Sequence, residues 1–104
     1  MKKMFPFQSS VDPDAMDFQS WADKNAHDLH GATVEASYIM ALTPSLKEVI
    51  VAQFVWEDEV YADMALTRED SDHSLQEAIN YYVENELYEM AAYAKEIKDK
   101  LSFF

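Results

Sequence analysis

Apolar residues recur every three to four positions along most of the chain, a spacing typical of helices with one buried face. In the C-terminal third, one continuous stripe predicts a helix over residues 74–101. An earlier stripe predicts a helix over 13–42 that is continuous or kinked at Gly31, or is broken there into two helices. The predicted middle helix, 44–66, is apolar nearly all round in its first half. Such a helix must be buried on several sides, so we expect it to be central or to lie in an oligomer interface.

Residues that favour the first turn of a helix stand at each predicted start. The three signals are Asp12 before Pro13, Thr43 before Pro44, and Ser74 with Glu77 three positions later. In the first two, the capping side chain precedes a proline, whose missing N–H is tolerated in the first turn. The third has the spacing of a capping box.

The segment 49–56 also fits a different structure. Its β-branched and aromatic residues suit a buried strand, but the cap before it and the lack of a hairpin turn signal favour a helix. We therefore predict an all-α fold in one domain over 1–104, with irregular ends at 1–10 and 102–104. It is a three-helix bundle of long helices around a central second helix, or a four-helix bundle if the first helix breaks at Gly31.

Composition excludes several classes of function. The chain has no cysteine, which removes disulfide frameworks, thiolate zinc sites and cysteine nucleophiles. A single glycine leaves no glycine-rich phosphate loop. We expect a cytoplasmic location, because no apolar run reaches the roughly 18 residues of a membrane span and no secretory signal is visible.

The charge is strongly negative and unevenly distributed. Twenty acidic residues stand against eight basic ones, and the formal net charge is −12. Between Glu57 and Ala94 there are eleven acidic residues and one basic residue, Arg68, which leaves −10 in this segment. If helices two and three pack antiparallel across a loop at 67–73, these carboxylates form one anionic region. Direct binding of nucleic acid is disfavoured, because no basic stripe is present to neutralise phosphates.

Such a region either keeps the protein in solution or binds a basic partner. Tyr81 and Tyr88 lie partly off the core stripe, on one predicted helix face with Glu77 and Glu84. They could anchor a partner, or pack on helix one. The candidate partner-binding residues are Glu57, Asp58, Glu59, Asp63, Glu69, Asp70, Asp72, Glu77, Tyr81, Glu84 and Tyr88.

No catalytic group, metal site or cofactor is predicted. His27 and His30 would share a helix face, but the Glu-x-x-His pairs of carboxylate-bridged metal bundles do not occur. Close carboxylate pairs are inevitable among twenty acidic residues and indicate no acid–base catalysis. The chain is therefore predicted not to be an enzyme.

In size, charge and predicted helicity the chain resembles the small acidic helical inhibitors that bacteriophages make against host nucleases and defence complexes. The resemblance contains no motif. It implies a non-enzymatic inhibitor, acting in the host cytoplasm if phage-encoded, that covers the nucleic-acid-binding surface of a basic protein. One alternative is an acidic immunity protein, antitoxin or adaptor with aromatic anchors. Another is a helical oligomer, such as a homodimer, with a ligand or metal pocket and a seam that includes Val51, Phe54 and Val55.

Overall fold

The chain contains both helices and strands, and two helices lie on either side of a central β-hairpin in the sequence. The computed structural model describes residues 7–101. The elements in chain order are β1 (Phe7–Ser10), α1 (Phe18–Lys24), α2 (Ala26–Leu42), β2 (Glu48–Trp56), β3 (Glu59–Thr67), α3 (Arg68–Glu84) and α4 (Tyr88–Leu101). A 3-10 helix, Pro13–Ala15, precedes α1. Of the described residues, 61% are helical and 23% lie in strands, so the fold is α/β and the predicted all-α bundle is wrong.

The three strands form one mixed sheet in the order β1, β2, β3. The central strand β2 is parallel to β1 and antiparallel to β3. The β2–β3 register shifts at Val51, which has no partner residue on β3. At this β-bulge, the consecutive residues Val51 and Ala52 are both buried in the protein interior. The apolar run of the sequence is therefore the central strand of a sheet. It replaces the central helix predicted over 44–66.

The turn between β2 and β3 explains why the hairpin is hard to see in the sequence. Its two residues, Glu57 and Asp58, have φ angles of 52° and 65°. Both are left-handed, as in a type I′ turn, which glycine and asparagine normally occupy. Because two acidic residues stand there instead, the usual sequence signal for a hairpin is missing.

Helix α2 is the centre of the molecule. On one side, Ala32, Ala36 and Met40 pack on the sheet residues Val51 and Leu66. On the other side, Val34 packs into a core formed by α3 and α4, which includes Leu75, Tyr82 and Ile97. The sheet, α2 and the α3–α4 pair thus form three successive layers, which explains why α2 is buried nearly all round.

The helix boundaries differ from the predicted ones because caps other than glycine define them. The first helical segment breaks at Asn25, and α2 runs without interruption through Gly31. Helix α3 starts at Arg68, where the Thr67 hydroxyl accepts a 3.2 Å hydrogen bond from the Asp70 backbone N–H. The predicted loop 67–73 therefore belongs to a strand end and the first turns of α3.

The long C-terminal helix predicted over 74–101 is two helices. The Leu87 N–H donates to the Tyr82 carbonyl at 2.7 Å and the Glu86 N–H donates to the Val83 carbonyl at 3.1 Å. These are the two bonds of a Schellman motif, and Glu86 has the left-handed φ of 58° that the motif requires. The helix ends there although no glycine marks its end.

Of the three predicted helix starts, only the one at Asp12 caps a helix in the structure. Asp12 does cap, accepting a hydrogen bond from the Asp14 N–H, but it begins a 3-10 helix and not a long helix. Pro44 lies in a turn between α2 and β2, and Ser74 lies inside α3. Residues 7–10 form β1, which corrects part of the predicted irregular end. The predictions for 1–6 and 102–104 lie outside the described residues.

Candidate partner-binding surface

The predicted acidic residues are all exposed, but they occupy separate parts of the fold. Glu57 and Asp58 form the β2–β3 turn, while Glu59 and Asp63 lie on β3. The others lie on α3, from Glu69 in its first turn to Glu84 at its end. The expected contact between two antiparallel helices does not exist, since the second of them is a hairpin, so the carboxylates do not line one helical face.

Two turns nevertheless bring six carboxylates to one end of the molecule. Phe54 packs on Trp21 just before α2, with ring centroids 4.8 Å apart, and the β2–β3 turn follows three residues later. Tyr81 packs on His30 near the start of α2, at 4.7 Å, and the α3–α4 turn follows four residues later. We call this the turn end, and its carboxylates are Glu57, Asp58, Glu59, Glu84, Glu86 and Glu89.

The second group of carboxylates lies at the opposite end, where β3 leads into α3. Asp70 is engaged with the Thr67 hydroxyl at 3.0 Å. Asp72 lies 3.2 Å from the Lys98 ammonium of α4. These carboxylates therefore contribute to capping and helix packing, in contrast to those at the turn end.

The only basic residue of the acidic segment does not neutralise it. The Arg68 guanidinium donates to the carbonyl oxygens of Met40, Thr43 and Leu46 at 2.7–2.9 Å. Within the part of the chain that the structure describes, Asp72 is the one carboxylate of this segment within 4 Å of a lysine or arginine nitrogen. The negative charge of the segment is thus largely uncompensated.

Acidic residues occupy every left-handed backbone position of the described chain. These positions are Glu57, Asp58 and Glu86, all at the turn end. A left-handed φ places the side chain of an L-residue close to its own backbone, and glycine avoids the resulting strain. The only glycine, Gly31, lies in α2 with an ordinary φ. At three places the turn end therefore holds a carboxylate where glycine would be more stable.

The predicted aromatic anchors have different environments. Tyr81 is half-buried against His27 and His30, so its ring packs on α2. Tyr88 begins α4 and is 60% exposed. Since α3 ends at Glu84, Tyr88 does not share a helix face with Tyr81. Of this pair, only Tyr88 has a largely exposed side chain.

Sequence reasoning missed three apolar residues that flank the turn carboxylates. Trp56, Val60 and Tyr61 are all exposed, and Trp56 pairs across the strands with Glu59. The Tyr61 hydroxyl is held by the Val11 carbonyl at 2.7 Å. The signal that could have revealed these residues is a strand assignment for 49–67, because only a hairpin brings them to one turn, with Trp56 opposite Glu59 and Val60 opposite Val55.

A groove of about 550 Å³ runs between β3 and α3. Its lining includes Asp23, His30, Met64, Asp70, His73 and Glu77. Burial lowers the pKa of His30 below its ordinary value of 6.5, which the Glu77 carboxylate opposes and nearby His27 reinforces. The groove wall thus combines apolar side chains with carboxylates and with a histidine, His30, that stays neutral near pH 7.

The predicted dimer seam and the histidine pair are also placed by the fold. Val51 and Phe54 are buried inside their own chain, so they are not available for a seam with Val55.

His27 and His30 lie one turn apart on α2. Among residues 7–101, no three histidine, aspartate or glutamate side chains are placed to hold one metal ion. Over the same residues, no helix is both long and apolar enough to cross a membrane.

Comparison of the chain with protein-family models, curated proteins and solved structures found no match.

Proposed function

We propose that this protein is a small acidic, non-enzymatic inhibitor, of the kind that phages make, which binds the basic nucleic-acid-binding surface of a target protein. A nuclease or a host-defence complex in the cytoplasm is such a target. The turn-end carboxylates take the place of phosphates on that surface. Association between surfaces of opposite charge is fast and weakens as salt is added.

The observation that carries the proposal is the identity of the left-handed residues. Glu57, Asp58 and Glu86 each hold a carboxylate where glycine would relieve backbone strain. A surface that only needed to be soluble could carry these charges in helices and strands, without strain. Placing them on two turns at one end costs folding stability, and strained positions of this kind are characteristic of functional sites.

The charge balance supports the same proposal. Arg68 is engaged with backbone carbonyls and Asp72 is paired with Lys98, so the other carboxylates of the acidic segment face solvent largely without internal neutralisation. Mutual repulsion among these groups opposes folding, and a basic partner surface would relieve it. The field also repels nucleic acid, which makes a nucleic-acid-binding protein, and not nucleic acid itself, the fitting partner.

One observation favours a second candidate, an acidic immunity protein, antitoxin or adaptor that binds through apolar anchors. Trp56, Val60 and Tyr61 are exposed next to the turn carboxylates. Aromatic side chains that keep a polar tip are frequent in the energetic centres of protein interfaces. In this case Trp56→Ala would weaken binding more than any single carboxylate change, and added salt would matter less.

The test is capture of partners from the native cell lysate at low and at high salt, with identification of the retained proteins. We expect a nucleic-acid-handling protein that is held at low salt, released at high salt and displaced by added DNA. A partner that resists both salt and DNA would favour the second candidate. Retention of no partner under either condition would contradict both.

A matched pair of variants separates the position of the charge from its amount. The first reverses Glu57, Asp58, Glu59 and Asp63 to lysine. The control reverses four exposed carboxylates outside the acidic segment, Asp14, Asp23, Glu48 and Glu96, and has the same net charge. We expect the first variant to lose the partner and the control to keep most of its affinity. Equal losses would show that only total charge matters.

A further inference from the structure

Strand β3 forms a free edge of the sheet. Within the described chain it pairs with β2 alone, so alternate backbone N–H and C=O groups along it point away from the sheet. Six of its nine residues are exposed, and none is a proline or lysine, residues that often block pairing at an edge. Tyr61 has no partner on β2, so a bulge separates the turn from the paired stretch 62–66. At about 3.4 Å per residue, this stretch offers roughly 17 Å of open edge.

The open edge borders the groove between β3 and α3. Residues 64–66 form one side of the groove, and Asp70 and Glu77 belong to the other side. Successive side chains of a strand point to opposite faces of a sheet. Three consecutive residues can therefore line the groove only if it reaches the edge of the strand itself. A strand added to β3 would place every second side chain in this groove.

The charges around the edge favour a basic occupant. Asp23, Asp70 and Glu77 line the groove, and none of its described lining residues is a lysine or arginine. On the strand itself, Asp63 is exposed and no residue is basic. Apolar residues such as Phe18 also line the groove. An extended segment in which basic and apolar side chains alternate would complement both the charge and the apolar surface.

We propose that the open edge of β3 binds an extended basic segment of the partner, which adds to the sheet as a fourth strand antiparallel to β3. Main-chain hydrogen bonds would supply affinity, and the groove would select the alternate side chains. The antiparallel direction is the more stable one per residue. This binding mode rests on the proposed function, which supplies a basic partner. It is continuous with the turn end, because Glu57, Asp58 and Glu59 belong to the same hairpin.

A second copy of this chain is a poor occupant of the edge. Each copy has a net charge of −12, so two copies repel each other. A two-fold pairing of β3 centred on Asp63 would place two carboxylates directly opposite each other, which is destabilising. A helix is also a poor occupant, because its backbone groups are already bonded within the helix and would leave the edge of β3 unpaired.

The test uses the peptide acetyl-KVKVKVK-amide, added to the isotope-labelled protein and followed by backbone amide shifts and hydrogen exchange. The matched control is acetyl-EVEVEVE-amide, which has the same alternation and the opposite charge. We expect saturable shifts at residues 62–66 with the lysine peptide only, and slower exchange of the amides there that point away from β2. Equal binding of both peptides, or binding without slower exchange on β3, would overturn the proposal.

Methylation of the peptide nitrogens tests the backbone contact directly. In an extended strand, the N–H groups of alternate residues point to the same edge, so methylating all valines blocks one edge and methylating all lysines blocks the other. We expect one methylated peptide to bind about tenfold more weakly and the other to bind within about twofold of the parent. Equal affinities of the two methylated peptides would show that side chains alone hold the peptide, which would overturn the proposal.

A pair of variants separates the edge from the total charge. Asp63→Lys reverses a charge on the open edge, whereas Glu96→Lys makes the same change at an exposed position of α4, in the layer farthest from the sheet. We expect Asp63→Lys to weaken binding of the lysine peptide several-fold, and Glu96→Lys to bind nearly as the wild type does. Equal losses would mean that only the net charge attracts the peptide, and the proposal would fail.

The outcomes for the edge and for the proposed function are distinguishable. If the wild-type protein does not bind the lysine peptide, the edge proposal fails and the turn-end carboxylates are unaffected. If no basic partner is captured from the lysate, the proposed function fails whatever the peptide does. If the peptide binds β3 but does not displace a captured partner at saturating concentration, the partner does not use the edge and the edge proposal fails.

Discussion

The Nη2 atom of Arg68 donates a hydrogen bond of 2.7 Å to the carbonyl oxygen of Met40. The contact joins the first residue of α3 to the last turn of α2. The same guanidinium also donates to the carbonyl oxygens of Thr43 and Leu46, in the turn that leads to β2. One side chain thus bonds three backbone acceptors at the end of a helix and its loop, and the Thr43 carbonyl accepts the Leu46 N–H as well.

Removing this side chain is predicted to destabilise the fold. Arg68→Met keeps a long apolar stem but removes a donor from three carbonyls, of which Thr43 keeps the Leu46 N–H, and we expect the free energy of unfolding to fall by about 2–3 kcal/mol. Arg68→Lys restores one donor at most, so its loss should be intermediate. Urea denaturation followed by circular dichroism measures both. Equal stability of Arg68→Met and wild type would contradict the role assigned to the guanidinium.

The β2–β3 turn is predicted to be less stable with its two acidic residues than it would be with a preferred type I′ sequence. Replacing Glu57→Asn and Asp58→Gly together gives the preferred type I′ sequence and should raise the free energy of unfolding by about 1 kcal/mol. The same change should weaken partner capture, because two turn-end carboxylates are lost. Glu57→Gln alone is the control, since it removes one charge and leaves a left-handed non-glycine residue. A stabilised double variant with undiminished capture would show that this turn does not contact the partner.

The end of α3 offers an independent test of the same principle. Glu86 holds the left-handed position of the Schellman motif, so Glu86→Gly should stabilise the protein by about 1 kcal/mol. Glu86→Ala removes the same charge but keeps the strain, and we expect it to gain much less. Thermal unfolding of the three proteins side by side measures the difference. Similar gains for glycine and alanine would mean that charge repulsion dominates at this turn.

Gly31 is predicted to be the opposite case, a glycine that the fold does not require. Gly31→Ala adds a methyl group that meets nothing within 4 Å. We expect the free energy of unfolding to rise by about 0.5–1 kcal/mol, since α2 gains a better helix former. Chemical denaturation of the variant and wild type tests this. A loss of stability would mean that the backbone at Gly31 is more crowded than the structure shows.

Stability is predicted to depend on the protonation of His30. Burial lowers its pKa in the folded state, so the unfolded chain binds this proton more readily. The contribution is fully present above the ordinary pKa of 6.5 and is lost as the pH falls from there towards the folded-state pKa. The stability difference between wild type and His30→Gln should therefore change over this range, with the wild type losing relative stability as the pH falls.

A second variant makes the pH prediction specific. Glu77 opposes the shift of His30, so in Glu77→Gln the pKa of His30 should fall further and the loss should extend to lower pH. Titration of the His30 ring by NMR gives the pKa directly in each protein. A pKa for His30 at or above 6.5 would contradict the effect assigned to burial.

Part of the C-terminal pattern could be predicted, and part could not. Leu75 and Ile97 belong to the helical stripe of the sequence, and both are buried in one core. Val83 and Leu87 belong to the same stripe, yet they are exposed. The stripe assumes one straight helix, whereas the turn at Asn85–Leu87 reverses the chain and changes which positions face the core.

The candidate site, too, could be predicted only in part from the sequence. The sequence indicated the carboxylates, because charge and its clustering are properties of the chain itself. It could not show that Glu57 and Glu86 share one end of the molecule, since that depends on how a hairpin and a helix pair pack on α2. Trp56 and Val60 were missed for the same reason.

By itself, the sequence determined the net charge, the absence of cysteine chemistry, the capping role of Asp12 and the helical character of its C-terminal third. Only the tertiary structure decided that 48–67 is a hairpin and that α2 is the central element. The apolar run 49–56 suits a buried helix or a buried strand equally well. Hydrogen bonding to β1, more than 40 positions earlier in the chain, and to β3 selects the strand. β1 is distant in sequence, and the turn to β3 lacks the usual hairpin residues, so no periodicity within the segment could reveal either partner.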